Sequence, residues 1–363
     1  MLAQSSRRND FIDYLKGALI FLVACGHAIQ YVGYNDSSYY LDPLFKAIYT
    51  FHVPLFMAVS GFVSFRSIST RTFRSCTQRR FRQIIIPAVC WPMLYILVLL
   101  AQHVLTQSTL AGGLHSFLNA LSEFRSGLWF LWALFGSTVI VSALKAFRWD
   151  RLEFFLAATI VLLFAPDGAK IYLLKYTFPF FCLGYALAKG DQIRVPTSRS
   201  AIPVACALVT SIVCYLLWRT DTYIYTTGMH LAYANLPNIL FRYFASLVIS
   251  ATFVRLVFDF YQIVKSRTLS NWGRSSLDIY VMHIYLVKIL ATINHPLKGS
   301  LWFTFLVSPI VAWILCLACY QGGQYIGAIP LARTLLLGRI PEPPQSTQAR
   351  PANTNPTGVG LTK

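Results

Sequence analysis

Charge is what this sequence has least of. Of its 363 residues 12% are Asp, Glu, Lys or Arg, and only 13 are acidic, where a soluble domain carries about a quarter charged residues. With 56% hydrophobic residues beside that scarcity, an ordinary soluble domain is excluded and the chain reads as an integral membrane protein. Several chemistry-bearing motifs are also missing: there is no Walker loop, no Gly-rich dinucleotide turn, no His-Glu-x-x-His pair and no Gly-x-Ser-x-Gly elbow, so none of the functions that those motifs build is indicated, and no metal is expected. Cysteine is present eight times, but only in apolar segments or in the basic loop at Cys76, which implies no disulfide framework. Cys316-x-x-Cys319 lies inside an apolar span and reads as packing. No internal repeat is visible, which weakens transporter architectures built from inverted repeats.

What the sequence does have is apolar length. Runs able to cross about 30 Å of hydrocarbon lie near residues 11–33, 44–65, 84–104, 128–147, 152–166, 170–188, 201–218, 236–257, 276–294 and 301–321. They predict an all-α, polytopic membrane helix bundle of about ten transmembrane helices, with the short fifth joined to the sixth by Pro166-Asp167-Gly168. The formal charge of +18 would suggest nucleic acid in a soluble protein, but here topology explains it and nucleic acid is set aside. With the N-terminus inside, 21 basic residues fall in inner segments and only Arg125, Lys170, Arg219 and Lys298 outside. That alternation supports ten crossings and two cytoplasmic termini. Leu-Val-Ala-Cys at 22–25 matches a lipoprotein cleavage site, yet cleavage there would destroy this pattern, so the first span is expected to be retained. Residues 1–340 are expected to form one membrane domain, and 341–363, rich in Pro, Thr, Asn and Gln, a disordered tail.

The first span carries Asp13, Lys16 and His27. At about 100° per residue, the step from Lys16 to His27 is three turns plus about 20°, and Asp13 lies within about 40° of the same face. The stripe is about 16 Å long between Lys16 and His27, and in hydrocarbon it must face protein or water. His52, on the inward-running second span, falls about 13 Å below the outer surface and His27 about 9 Å. Two imidazoles at matching depth point to a shared cavity, and Pro54 frees a carbonyl one turn before it, as a helix bent around that cavity requires. Arg79 and Arg82 stand at i and i+3 before the third span, where they hold lipid phosphates and topology or grip a polyphosphate ligand. Asp278, His283 and Lys288 each need a partner inside the ninth span, since Asp278 and His283 face different neighbours. Trp129 and Phe178 open the fourth and sixth spans in aromatic clusters that suit an interfacial belt or stacking on sugar rings.

Taken in order, these residues resemble the acyltransferase family 3 membrane proteins. The resemblance rests on Asp13-x-x-Lys16 with His27, Phe51-His52-Val53-Pro54-Leu55-Phe56 with Ser60-Gly61-Phe62, and Arg79-x-x-Arg82. It also rests on Leu128-Trp129-Phe130-Leu131, Phe178-Pro179-Phe180-Phe181 with Gly184, and Ser276-Leu277-Asp278-Ile279-Tyr280 with His283. Lys16 stands where the family usually has Arg, and so acts as a point charge rather than a planar fork. The resemblance implies a membrane enzyme of the inner (cell) membrane that moves an acyl group, usually acetyl from cytoplasmic acetyl-CoA, to a hydroxyl of a surface glycan or lipid-linked sugar. Membrane lipids and other cell-surface glycan assembly proteins are its expected partners. On that reading His27 is the general base or a transient acyl carrier, with Lys16 and Asp13 on its face, and His52 orients it or polarises the thioester. Arg79, Arg82 and Lys16 would hold the donor, and Trp129, Phe178, His283 and Asp278 would lie near the acceptor. The alternative class is a proton-coupled transporter or flippase with a polar central path.

Overall fold

Each of the ten apolar runs becomes largely helical in the computed structural model, which describes residues 9–105, 128–190, 201–293 and 296–339. The expected tail at 341–363 and loop residue Arg125 lie outside the described residues. Helix α1 (Asp10–Ala28) continues through a π-turn to Gly33. Helices α2 (Pro43–Tyr49) and α3 (His52–Thr70) share the second run, with a break at Thr50-Phe51. Helix α4 (Phe73–Arg80) passes through a π-turn at Phe81–Ile85 into α5 (Ile86–Leu105). Then come α6 (Trp129–Ala146), α7 (Leu152–Phe164), α8 (Ile171–Lys189) and α9 (Ala201–Leu217). The last third holds α10 (Ile224–Thr227), α11 (Leu236–Ile263), α12 (Arg267–Arg274), α13 (Ser276–Leu290), α14 (Ser308–Ala328) and α15 (Pro330–Leu337). Among the described residues there is no strand, and seven helical stretches are long and apolar enough to cross a membrane. The fifth, seventh and ninth runs form the shorter helices α7, α9 and α13, of 13, 17 and 15 residues. The chain is an all-α, multi-pass membrane bundle.

Its polarity is arranged for lipid. Leu156, Val161, Ile212, Leu216, Phe305 and Ile314 are exposed on the outside of the bundle, while Asp13, His52, Lys175, Arg242, Asp278 and His283 are buried inside it. Every such interior group needs an internal partner. Lys175 pairs with Asp167 at 2.6 Å, and Arg242 donates to the Thr222 and Gly228 carbonyls at 2.6 and 2.9 Å. Hydroxyls within the helices donate one turn back, as Ser60 does to Phe56 and Thr177 to Leu173, which keeps them satisfied without water.

Prolines free carbonyls, and neighbouring helices take them up. Pro54 leaves the Thr50 carbonyl without its helical donor, and Ser246 Oγ on α11 donates to it at 2.7 Å. Pro179 does the same to Lys175, whose carbonyl accepts from Tyr243 Oη at 2.9 Å. Glycines set the closest helix crossings. A Cβ on Gly61 of α3 would lie 2.0 Å from the Phe181 carbonyl oxygen of α8, and one on Gly184 would lie 1.8 Å from that of Ala58. Between α1 and α12 the same holds for Gly17 over Leu269 and Gly273 over Asp13, at 1.9 and 1.7 Å. Small residues let backbones touch where hydrophobic association gives no drive. This second crossing carries Arg274, at the end of α12, to the side of Asp13.

Candidate active site

The polar face of α1 forms one wall of a cavity of about 350 Å³, reached by both Lys16 and His27. His52 lines it as well, so the shared cavity expected from their depths is present. One end is basic: Lys16, Arg80, Arg274 and Arg339 all reach it. Asp13 is buried behind Lys16 and Arg274, 3.8 and 3.4 Å from their charged nitrogens, and holds both cations in place. Beyond His27 lies a second chamber of about 180 Å³, rich in tyrosine. Tyr31, Tyr39 and Tyr40 line it and not the larger cavity, whereas His27, Tyr49, Trp129, Tyr225 and Tyr280 line both spaces. His27 therefore stands at the joint between a basic chamber and a hydroxyl-rich one.

Hydrogen bonding fixes which nitrogen of His27 is available. His283, fully buried on α13, donates from Nδ1 to the Ile279 carbonyl at 2.9 Å. Its Nε2 is then an acceptor, and His27 Nδ1 lies 2.8 Å from it, so the proton of His27 sits on Nδ1. That leaves His27 Nε2, on the opposite edge of the ring, with a lone pair for chemistry in the cavity. His52 is set the same way: Nδ1 donates to the Ile48 carbonyl at 2.8 Å, leaving Nε2 as an acceptor.

The other expected site residues divide. Trp129 lines both chambers and Asp278 the larger one. Phe178 is fully buried in the core, away from both. His283 lies behind His27 rather than in contact with either space. Arg79 and Arg82 do not line the cavity, and Arg82 is exposed; the arginine that does is Arg80, with Gln83 beside it. The π-turn at Phe81–Ile85 breaks the regular spacing that would have paired 79 with 82. Arg80 instead shares a face with buried Cys76 and Ile84, four residues before and after it, and that spacing was the available signal. It donates to Ser64 Oγ at 3.1 Å, while its Nε is buried without a hydrogen-bond partner. A guanidinium with five donors and so few partners is prepared for an anion. Arg274, Arg339 and Tyr225, which also line the cavity, were not singled out by sequence reasoning. Among the described residues no group of three or more His, Cys, Asp or Glu side chains is placed to hold a metal ion.

The chain is thus a multi-pass helix bundle in which one histidine lines two chambers, one of them basic. The family profile described as an acyltransferase domain matches residues 9–320, and the chain belongs to that acyltransferase family. It is 31% identical over 310 residues to the nodulation protein NolL of Mesorhizobium japonicum, covering 83% of this chain and 81% of that protein. To the nodulation protein NolL of Sinorhizobium fredii it is 30% identical over 311 residues, 83% of each. No solved structure matches the chain.

Proposed function

We propose that this acyltransferase moves an acetyl or other acyl group from cytoplasmic acyl-CoA, with acetyl-CoA the expected donor, to a hydroxyl of a cell-surface or lipid-linked sugar. The observation that carries the reading is the place of His27 in the walls of both chambers. The donor occupies the larger one. Its phosphates meet Lys16, Arg80 and Arg274, and its thioester arm runs along α1 over the roughly 16 Å between Lys16 and His27. The acceptor hydroxyl enters from the tyrosine-lined chamber, where hydroxyl and indole groups suit a polyhydroxylated ligand. Basic end and Lys-rich and Arg-rich inner loops then share the cytoplasmic side of a cell membrane.

His27 Nε2 takes the proton from the acceptor hydroxyl as the oxygen attacks the thioester carbonyl carbon. The C–O bond forms, the C–S bond breaks, and the departing thiolate takes that proton back from Nε2 as CoA thiol. His283 supports both steps by accepting from Nδ1, which holds the ring in the one tautomer that can act as base. Tyr225 and Tyr280, two of the three tyrosines that line both chambers, supply O–H donors to the developing oxyanion. His52 Nε2, with Nδ1 held by the Ile48 carbonyl, accepts from a neighbouring hydroxyl of the polyhydroxylated acceptor and so orients it.

The purified protein in detergent, given acetyl-CoA and candidate sugars, is expected to release free CoA thiol only when an acceptor is present. A transporter would release none, so acceptor-dependent substrate movement without thiol would overturn the reading. Replacing His283 with Leu is expected to lower kcat by at least about ten-fold through loss of the His27 tautomer. The donor KM should stay within about two-fold, because His283 does not line the cavity. A parallel rise in KM would mark a packing defect instead.

A further inference from the structure

Two charged residues that this mechanism leaves unused, Asp278 and Arg339, meet where the chain, having left the bundle, folds back onto it. After α14 the short α15 returns against α5, and the Trp91 indole N–H donates to the Leu336 carbonyl at 2.8 Å. Gly338 follows with φ near +61°, a left-handed conformation, and lies so close to Gln83 that a Cβ would sit 2.2 Å from its carbonyl oxygen. A glycine is required there on both counts. This clamp sets Leu337, Gly338 and Arg339 into the wall of the larger cavity. Arg339 forms an ion pair with Asp278 of α13. Among the described residues lining that cavity, Asp278 is the one carboxylate and Arg339 the fourth cation, after Lys16, Arg80 and Arg274.

The two partners are unequally committed. The Asp278 side chain is 6% exposed and that of Arg339 is 37% exposed, so the carboxylate is fixed in the bundle while the guanidinium keeps an open side toward the cavity. A guanidinium has five N–H donors in a planar fork that matches phosphate as well as carboxylate. With the cavity empty, Asp278 offsets part of the positive charge gathered at one end. An entering polyphosphate supplies that charge itself, and offers more acceptor oxygens than one carboxylate does.

We propose that Arg339 is a donor-binding residue that reads phosphate, passing from Asp278 to the nucleotide phosphates of the acyl donor as the donor enters. This rests on the assignment of the larger cavity to acyl-CoA. Asp278 then acts as a built-in competitor. An acyl thioester without phosphates cannot draw Arg339 away, so the pair sharpens the choice between donors that share one thioester, since specificity is a difference of affinities. The segment after the last long helix is in this way part of the donor site.

The test compares acetyl-CoA with acetyl-pantetheine, which has the same thioester and arm but no nucleotide or phosphates, using the full chain in detergent and thiol release as the readout. Arg339→Gln is expected to raise the KM for acetyl-CoA about ten-fold more than the KM for acetyl-pantetheine, the loss of one charge-assisted hydrogen bond to phosphate. Arg339→Lys should recover part of that difference. Asp278→Asn, which removes the competitor and keeps the shape, should lower the KM for acetyl-CoA. Equal changes with the two donors, or no change with either, would overturn the proposal. So would an Asp278→Asn variant that reproduces the loss seen in Arg339→Gln, because that is how a purely structural ion pair behaves. Failure of the donor assignment shows earlier and separately, as a wild-type protein that releases thiol from neither donor.

Discussion

Replacing His27 with Ala is expected to lower the rate of acyl transfer by at least about 100-fold, the lower end of what a positioned general base contributes, while the protein stays folded. The size follows from the absence of a substitute in the right place. Among the described residues His52 is the other imidazole lining the larger cavity, and it has a lone pair at Nε2, but it does not line the tyrosine-rich chamber. A hydroxyl arriving from that chamber therefore meets His27 first. Folding should survive, because His27 is only half-buried and its ring bonds to a single partner, His283. The matched measurement is CoA thiol release by wild-type and variant protein at equal monodisperse concentration. A variant within about three-fold of wild type would assign the proton transfer elsewhere.

The second large effect belongs to the crossing of α3 and α8. Gly61→Ala is expected to destabilise the protein by about 3 kcal/mol or more, at or beyond the upper range for overpacking. The new methyl would lie 2.0 Å from a backbone carbonyl oxygen, and a backbone cannot swing aside as the end of a side chain can. Gly184→Ala meets the Ala58 carbonyl at 1.8 Å and should behave alike. Gly136→Ala, on α6, is the control: its nearest neighbours would be the Leu174 methyls at 3.5 and 3.6 Å, an ordinary contact. Thermal unfolding in detergent should show low midpoints for the first two variants and a near wild-type midpoint for the third. Activity should fall with the first two, since α3 carries His52, Ser60 and Ser64 into the cavity wall. Equal midpoints for all three would mean that the two helices are held apart in the folded protein.

What a single helix decides was legible in the sequence. The shared face of Lys16 and His27, the ten helical runs and the carbonyl freed by Pro54 all follow from periodicity and from proline's missing N–H. Asp278 and His283 were expected to face different neighbours, and they do, with Arg339 and His27 respectively. What depends on packing between distant segments was not legible. His27 and His283 are 256 residues apart, and no helical wheel predicts that one imidazole holds another. Phe178 shows the converse: an aromatic cluster suits a sugar platform, yet Phe178 lies eight residues into α8, where the core closes over it. The choice of Arg80 over Arg79 and Arg82 turned on a π-turn that changes the register just after α4. The division into two chambers, and the return of α15 to the basic end, come from tertiary contacts that carry no local signature.

The most direct test is a structure of the protein with a non-transferable acyl-CoA analogue bound. The account predicts that the nucleotide phosphates lie among Lys16, Arg80 and Arg274, and that the acyl carbonyl carbon sits on the cavity side of His27, close to Nε2 and facing the tyrosine-lined chamber. An analogue bound outside the larger cavity, or an acyl group separated from His27 by packed side chains, would contradict it.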